Sequence, residues 1–484
     1  MENSDKENLL YRKQFLLMHS DQDNEFAKPL SAWSKVVWGD YELHLHPDLP
    51  YEHASVGRIE IVCLGIILDP DNPANSSRRV IENITRQVED SESLELELER
   101  MGGRFVLCCR MGGRHFLYHD ACGFKTVFLY SDGHHRIVAS QPQIVADLLG
   151  LKRARDYTEL LKKYRSPTWP PYVYPFDNFK QLLPNRRIDL NTYTVARFWP
   201  KQDPELQAVP VAVDRIYQDT QGLMRAILAR YSGYVSLTGG HDSRAVAAVA
   251  AGIGGAIEAF SFNYRGIPRH DAVLPGKIAN IAGLKHVTHE SSDFDEYLLD
   301  ILDRNSSYMC FDPSRREAEA LGRILGSGGV NMQGFIGELL RNSFGYIAPA
   351  QASAESLAKR AFMPPLDFVH EGTLQWLSEA PVDSSILADL LYWDVKMGIW
   401  GASCITCKEA LAEVIPPMSS RRIISAALSV DKDARFREKA LHHGLYAKCS
   451  SRLSKVKINT THMQEFAQIF PVPWRMRKKH GLHD

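Results

Sequence analysis

The run Tyr234 to Arg244, Tyr-Val-Ser-Leu-Thr-Gly-Gly-His-Asp-Ser-Arg, has the residue types and spacing of a strand that feeds a phosphate-holding turn. Val235 to Leu237 is a short apolar run suited to a buried strand, and Gly239 and Gly240 permit a tight turn. The Ala/Val-rich stretch Asp242 to Gly252 then has helical character. Such a turn ends at a helix N-terminus, where unpaired N–H groups and the helix dipole favour an anion. Thr238 and Ser243 add hydroxyl donors, and Asp242 offers a carboxylate to magnesium. ATP is the ligand this pattern predicts. It is not the Gly-x-x-x-x-Gly-Lys-Ser/Thr device: that motif is absent, and no lysine stands within the turn.

The elements that must position this turn fall into two textures. From Arg58 to about Tyr130 strands are predicted at Arg58 to Asp69, Arg104 to Arg110 and His115 to His119, with another at Arg136 to Ala139. Gly112 and Gly113 mark a hairpin between two of them, and Arg78 to Met101 reads as one amphipathic helix covering a sheet face. Pro200, Pro204 and Pro210 mark a linker at Trp199 to Pro210. Beyond it, strands predicted at Tyr234 to Leu237, Ile257 to Phe262, His286 to Thr288 and Val330 to Gly334 alternate with helical stretches, the signature of a parallel, doubly wound sheet. Gly239 and Gly240 then lie at the carboxyl end of the first strand, where open α/β sheets bind ligands. After about Ser353 the chain reads as mainly helical, with Met397 to Val414 and Arg421 to Leu453 the clearest helices.

Composition narrows the partners. The 484 residues are 44% hydrophobic and 24% charged with a formal net charge of −1, an ordinary globular balance that gives no general attraction to nucleic acid or anionic membrane. Met1 to Asn8 lacks the basic-then-apolar layout of a secretory signal, so a cytoplasmic location is expected. The longest apolar stretch, Ala245 to Ile257, is interrupted by glycines and falls short of a span of about 20 residues. Eight cysteines over this length do not make a disulfide framework, and Cys404 and Cys407 have no second pair to complete a zinc site. His44 with His46, and His134 with His135, lack converging partners. The basic stretch Arg475 to Lys479 reads as a solvated tail, and the glycosylation triplets at Asn75, Asn83, Asn305 and Asn459 carry little weight without a secretion signal.

Ser236 to Ser243 resembles the Ser-Gly-Gly-x-Asp-Ser pyrophosphate loop of ATP pyrophosphatases such as the asparagine synthetases, with Thr238 keeping the hydroxyl of the leading Ser. The loop by itself leaves sulfur-transfer, NAD-forming, GMP-forming and arginine-pathway enzymes open. The upstream half sorts them. Gly-Arg-Phe-Val-Leu from Gly103 and His-Asp-Ala-Cys-Gly-Phe-Lys-Thr-Val-Phe from His119 resemble the class II glutamine amidotransferase domain of asparagine synthetases, and Leu182 to Trp199 is similar to the stretch leading out of it. The resemblance covers about Arg58 to Gly345 clearly and the helical end more weakly. It implies a mixed α+β and α/β chain. Residues 1–205 would form a degenerate amidotransferase-like domain, an αββα sandwich of the Ntn-hydrolase kind. Residues 206–484 would form a doubly wound parallel-sheet ATP pyrophosphatase (PP-loop) domain with a helical C-terminal part.

Two departures matter. Glutamine-hydrolysing members expose a cysteine at the processed N-terminus, whereas this chain begins Met1-Glu2 and its first cysteine, Cys63, lies in an apolar strand. No glutaminase activity is expected, because that chemistry needs a thiolate. Such a domain survives as scaffold in the resembling β-lactam synthetases and lasso-peptide cyclases. Gln333 to Tyr346 resembles the segment Gly-Glu-Gly-Ser-Asp-Glu-Leu-Phe-Gly-Gly-Tyr, with Gly337 where an Asp is usual and Glu338 keeping the neighbouring carboxylate.

The resemblance thus implies an ATP-dependent carbon–nitrogen ligase that adenylates a small-molecule or peptide carboxylate, releases pyrophosphate, and passes the acyl group to an amine or ammonia. Ser236, Leu237, Thr238, Gly239, Gly240, Asp242, Ser243 and Phe262 are expected around ATP, and Asp242 and Glu338 around Mg2+. Asp242, Glu338 and Lys457 are the expected catalytic set, with Lys455 beside the last. Asp271 either matches the acidic residue that opens the family's next helix or is a simple N-terminal charge. Tyr392 and Asp394, with Trp393 and Trp400, either face the acyl pocket or pack in the core. No nucleic-acid or membrane partner is expected, a homodimer is open, and the base for the amine proton is unassigned. The rival readings are an asparagine synthetase fed by free ammonia, an inactive nucleotide-binding pseudoenzyme, and a sulfur carrier acting on tRNA.

Overall fold

The structure, a computed structural model, describes residues 6–21, 25–163, 170–255, 257–263, 269–290, 295–310, 312–381 and 384–458. The triplet at Asn459 and the basic stretch Arg475 to Lys479 lie outside these residues. Among the described residues no helix is long and apolar enough to cross a membrane.

Period-2 alternation builds the first half. Along Ile59–Leu68, Val62 and Leu64 point to one side while Ile61, Cys63 and Ile67 point to the other. Gly102–Met111 does the same with Val106 and Cys108 against Phe105, Leu107 and Cys109. Each strand therefore serves two cores. The sheet that holds them runs Thr194–Arg197, Arg186–Asp189, Arg114–His119, Gly102–Met111, Ile59–Leu68, Tyr51–Val56, all antiparallel. A second six-stranded antiparallel sheet, from Phe179–Gln181 through Phe128–Ser131, Arg136–Ala139, Phe15–His19 and Tyr41–Leu45 to Ser34–Trp38, packs on it. Phe15, Leu17, Leu43 and Val138 fill the space between.

Gly112 and Gly113, both at positive φ, make the predicted hairpin. The predicted single helix over Arg78 to Met101 is instead two, Ser77–Gln87 and Ser91–Arg100. Asp90 caps the second through a reciprocal bond with Ser93, and that local cap breaks the run.

The second half holds a five-stranded parallel sheet in the order Lys285–Glu290, Glu258–Asn263, Ser232–Ser236, Gly329–Asn331, Glu413–Val414. In chain order this is third, second, first, fourth, fifth, so the winding reverses beside Ser232–Ser236. The helix His241–Ala251 is apolar nearly all round and is buried from Ser243 to Ala250, as its Ala/Val composition requires. Two predicted helices are corrected. Met397 to Val414 divides into a π-helical stretch Tyr392–Gly401, the helix Ala402–Glu409 and the short fifth strand. Arg421 to Leu453 divides into Arg421–Leu428, Lys432–Phe436 and Ala440–Cys449, with Ser420 and Asp431 capping the first two.

Charged pairs join the halves. Glu413 takes Lys13 at 2.8 Å and Arg104 at 2.9 Å, and Glu409 takes Arg104 at 3.2 Å and Lys125 at 2.5 Å. Burial works to raise the Glu413 carboxyl, but Lys13 and Arg104 prevail and hold it down to about 2. The fully buried Asp394 is gripped by Arg186 at 3.0 Å, by Arg197, and by the indole N–H of Trp376 at 3.1 Å. Of the two readings of Asp394, the structure supports packing: it is a structural counter-ion, not an acyl-pocket residue.

Candidate functional site

The glycine turn follows Ser232–Ser236, the strand at which the sheet reverses, and so lies at the carboxyl end of that strand, where open α/β sheets bind ligands. Leu237 is buried and donates its N–H to the Phe260 carbonyl at 2.8 Å, fixing the start of the turn to the neighbouring strand. Ser243 then ties the turn back: its hydroxyl accepts from the Thr238 N–H at 3.1 Å and lies 3.0 Å from the Thr238 hydroxyl. The Thr238 hydroxyl in turn accepts from the Gly240 N–H at 3.2 Å. A β-carbon on Gly240 would press within 3.3 Å of the same hydroxyl. No side chain caps the helix at Gly240, so its first-turn N–H groups are not met by a capping side chain from that position.

Beside this helix end, Asp242 and Glu338 meet as the sequence predicts, but around a guanidinium. Arg341 donates from Nε and Nη2 to the two oxygens of Asp242, each at 3.3 Å, and from Nη2 to Glu338 at 2.9 Å. His442 Nε2 lies 3.1 Å from Asp242 Oδ1. Burial acts to raise the Asp242 carboxyl, yet Arg341 and then His442 hold it well below the usual carboxylate range. The Tyr392 hydroxyl faces Glu338 and is pushed up by burial and that carboxylate. A β-carbon on Gly337 would stand 2.3 Å from Asp242 Cβ, so the position that carries an Asp in the resembling segment here has room only for glycine. Among the described residues no group of three or more His, Cys, Asp or Glu converges for a metal. Asp242 and Glu338 are instead matched in this structure by one guanidinium and a histidine in an ion-pair network.

Arg244 anchors the other side. Fully buried, it donates to the carbonyls of Leu453 at 3.0 Å, Val456 at 2.8 Å and Lys457 at 2.9 Å, and to the Gly239 carbonyl at 3.0 Å. Lys457 is thus brought beside the turn by its backbone, while its side chain is exposed. His241 stacks on Tyr446 at 6.4 Å, and the Tyr446 hydroxyl donates to the His241 carbonyl at 3.0 Å. Burial, then His442, pushes the His241 imidazole down to about 3.

Phe262 meets Phe260 edge-on at 5.5 Å and packs with Leu321 and Leu325, and Asp271 lies in the helix Arg269–Ala282. Lys396, in the π-helical stretch, holds its ammonium 3.8 Å over the Trp400 ring, and burial pulls its pKa down. Sequence reasoning missed Arg341, His442, Lys396 and the anchoring role of Arg244. Only Arg341 carried a signal, as a cation three residues beyond Glu338 on one helical turn. In the first half Cys63 is fully buried, and burial pushes its thiol well up, away from the thiolate form.

No family model matches the chain, and no curated protein matches it. Solved structures do. One is the glutamine phosphoribosylpyrophosphate amidotransferase of B. subtilis complexed with ADP and GMP, 10% identical over 59% of this chain and 61% of that one, with a TM-score of 0.24. Another, described as the allosteric regulatory enzyme of purine biosynthesis, is 10% identical over 80% of this chain and 95% of that one, with a TM-score of 0.25. The chain spans 61% of the length of the first. This chain is therefore similar to these solved structures at low identity and loose superposition, and what is said of its site rests on its own sheets and residues.

Proposed function

We propose that this chain is an ATP-dependent amide-forming ligase of the asparagine synthetase-like kind, with residues 1–205 a degenerate amidotransferase-like sandwich of the Ntn-hydrolase type and residues 206–484 the adenylating PP-loop domain. One observation carries the reading: a helix N-terminus with no side-chain cap, led in by Gly239 and Gly240, stands at the carboxyl end of the strand beside which the parallel sheet reverses its winding. A carboxylate oxygen of the substrate attacks the α-phosphorus of ATP, and the bond to the β-phosphate oxygen breaks to release pyrophosphate. The first-turn N–H groups after Gly240 stabilise the charge gathering on that leaving group. An amine nitrogen then attacks the acyl carbon, AMP departs, and the amine proton is lost to a base. That second step needs chiefly closeness and orientation.

Cys63, buried in its strand, offers no thiolate for glutamine hydrolysis, which supports free amine or ammonia as the nitrogen source. The deciding measurement is ATP–pyrophosphate exchange with a panel of carboxylates, aspartate included. Exchange with at least one carboxylate, lost in Asp242→Ala, is expected. Exchange indifferent to Asp242, or glutamine-driven product from the purified chain, would overturn the reading. The Arg341 network favours one second reading, a nucleotide-binding protein without turnover; ATP binding with no exchange for any acid would establish it.

A further inference from the structure

The Asp242–Glu338 pair raises a question of charge. A triphosphate at this helix end brings several negative charges, and the two carboxylates facing it would repel them unless something positive stands between. In this chain that positive group is the guanidinium of Arg341. Its Nε and Nη2 are engaged by Asp242 and Glu338, while Nη1 has no hydrogen-bond partner among the described residues. The side chain is 22% exposed, so the group is reached from solvent and is not sealed in the core. Lys439, at φ +52, adds a second cation close enough to feel both Arg341 and Asp242. His442, fully buried, holds Asp242 from behind, and Gly337 leaves no space for a third carboxylate.

A guanidinium locked on one edge by two carboxylates is pre-oriented, and its remaining N–H groups are a ready phosphate contact. We infer that Arg341 is the triphosphate-binding cation of this site, with Asp242 and Glu338 as the positioning residues that aim it, so that nucleotide binds without a protein-held divalent metal. This rests on the proposed nucleotide site and inverts the roles of its two acids: they orient a cation of the chain instead of ligating one from solution.

The test measures binding of ATP to the full chain by titration calorimetry, once with excess Mg2+ and once with excess EDTA, for wild type, Arg341→Lys and Arg341→Met. The dissociation constant of the wild type should differ between the two conditions by less than about threefold. Arg341→Met should weaken binding in EDTA by at least about tenfold, with Arg341→Lys between, since a point charge replaces a fork. Unchanged thermal unfolding of Arg341→Lys checks that the fold is kept. Wild-type binding that vanishes in EDTA, or an Arg341→Met variant that binds as wild type does, overturns the inference while leaving the nucleotide site standing. Absence of ATP binding in both conditions sinks the nucleotide site and this inference with it.

Discussion

Gly337 and Asp242 are in contact so close that a methyl group on the glycine would lie 2.5 Å from the Asp242 carboxylate carbon. The two positions cannot both carry side chains in this backbone. Gly337→Ala is expected to cost about 1–3 kcal/mol in urea unfolding through overpacking, and to loosen the Arg341 contact with Asp242. Gly337→Asp, which restores the residue of the resembling segment, should lower stability further and gain no Mn2+ binding by electron paramagnetic resonance. A stable Gly337→Asp protein that binds Mn2+ would show that the site accommodates a metal after all.

His241 sets an acid limit on stability. Its folded pKa, pushed down to about 3, lies below the usual imidazole value of about 6.5, so the unfolded chain takes up the proton first. Stability from this group is complete above pH 6.5 or so and falls as the pH drops toward 3. His241→Gln should flatten that part of the curve of melting temperature against pH. An acid limb of unchanged slope in the variant would refute the assignment.

Asp394→Ala leaves Arg186 and Arg197 facing each other without their shared counter-charge, together with the freed indole N–H of Trp376. Breaking a buried ion pair from one side costs about 3–5 kcal/mol. The loss should appear in denaturant unfolding and be nearly as large in Asp394→Asn, which keeps the shape and removes the charge. A cost below about 1 kcal/mol, the size of a surface pair, would contradict the structure.

Arg244→Met removes all four carbonyl contacts that bind Gly239 to the segment from Leu453 to Lys457. Hydrogen exchange should rise at Thr238 to Gly240 and at Leu453 to Lys457 before it rises in the sheet, because the tether is local. Exchange that increases evenly over the whole second half would assign Arg244 to global stability instead.

Much of this fold was legible because period and punctuation carry it. The strands around Val62, Val106 and Leu117 were found from runs set off by turn signals, and the parallel strands at Val235, Ala259 and Val330 from short runs between helices. What failed depended on local caps or on length. Asp90 ends a run that looks continuous, and Glu413–Val414 is too short to announce itself as a strand. The site was half legible. Asp242 and Glu338 stood in recognisable motifs, whereas His442 reaches Asp242 across 200 residues and Arg341 reaches it across 99, through packing that no local pattern encodes.

The π-helical stretch Tyr392–Gly401 ties the antiparallel half to the parallel one. Within ten residues it turns Tyr392 toward Glu338, donates the Trp393 indole N–H to the Ala121 carbonyl at 2.8 Å, and seats Asp394 on Arg186 and Arg197. Gly398 lies so near Pro184 that a β-carbon would meet the ring at 2.3 Å. The stretch beside Glu338 is therefore moulded by the sandwich as by a jig. Cut away the sandwich, and Asp394, Glu409 and Glu413 lose Arg186, Arg197, Arg104, Lys13 and Lys125 and become stranded anions, so the second half depends on the first for its charge balance.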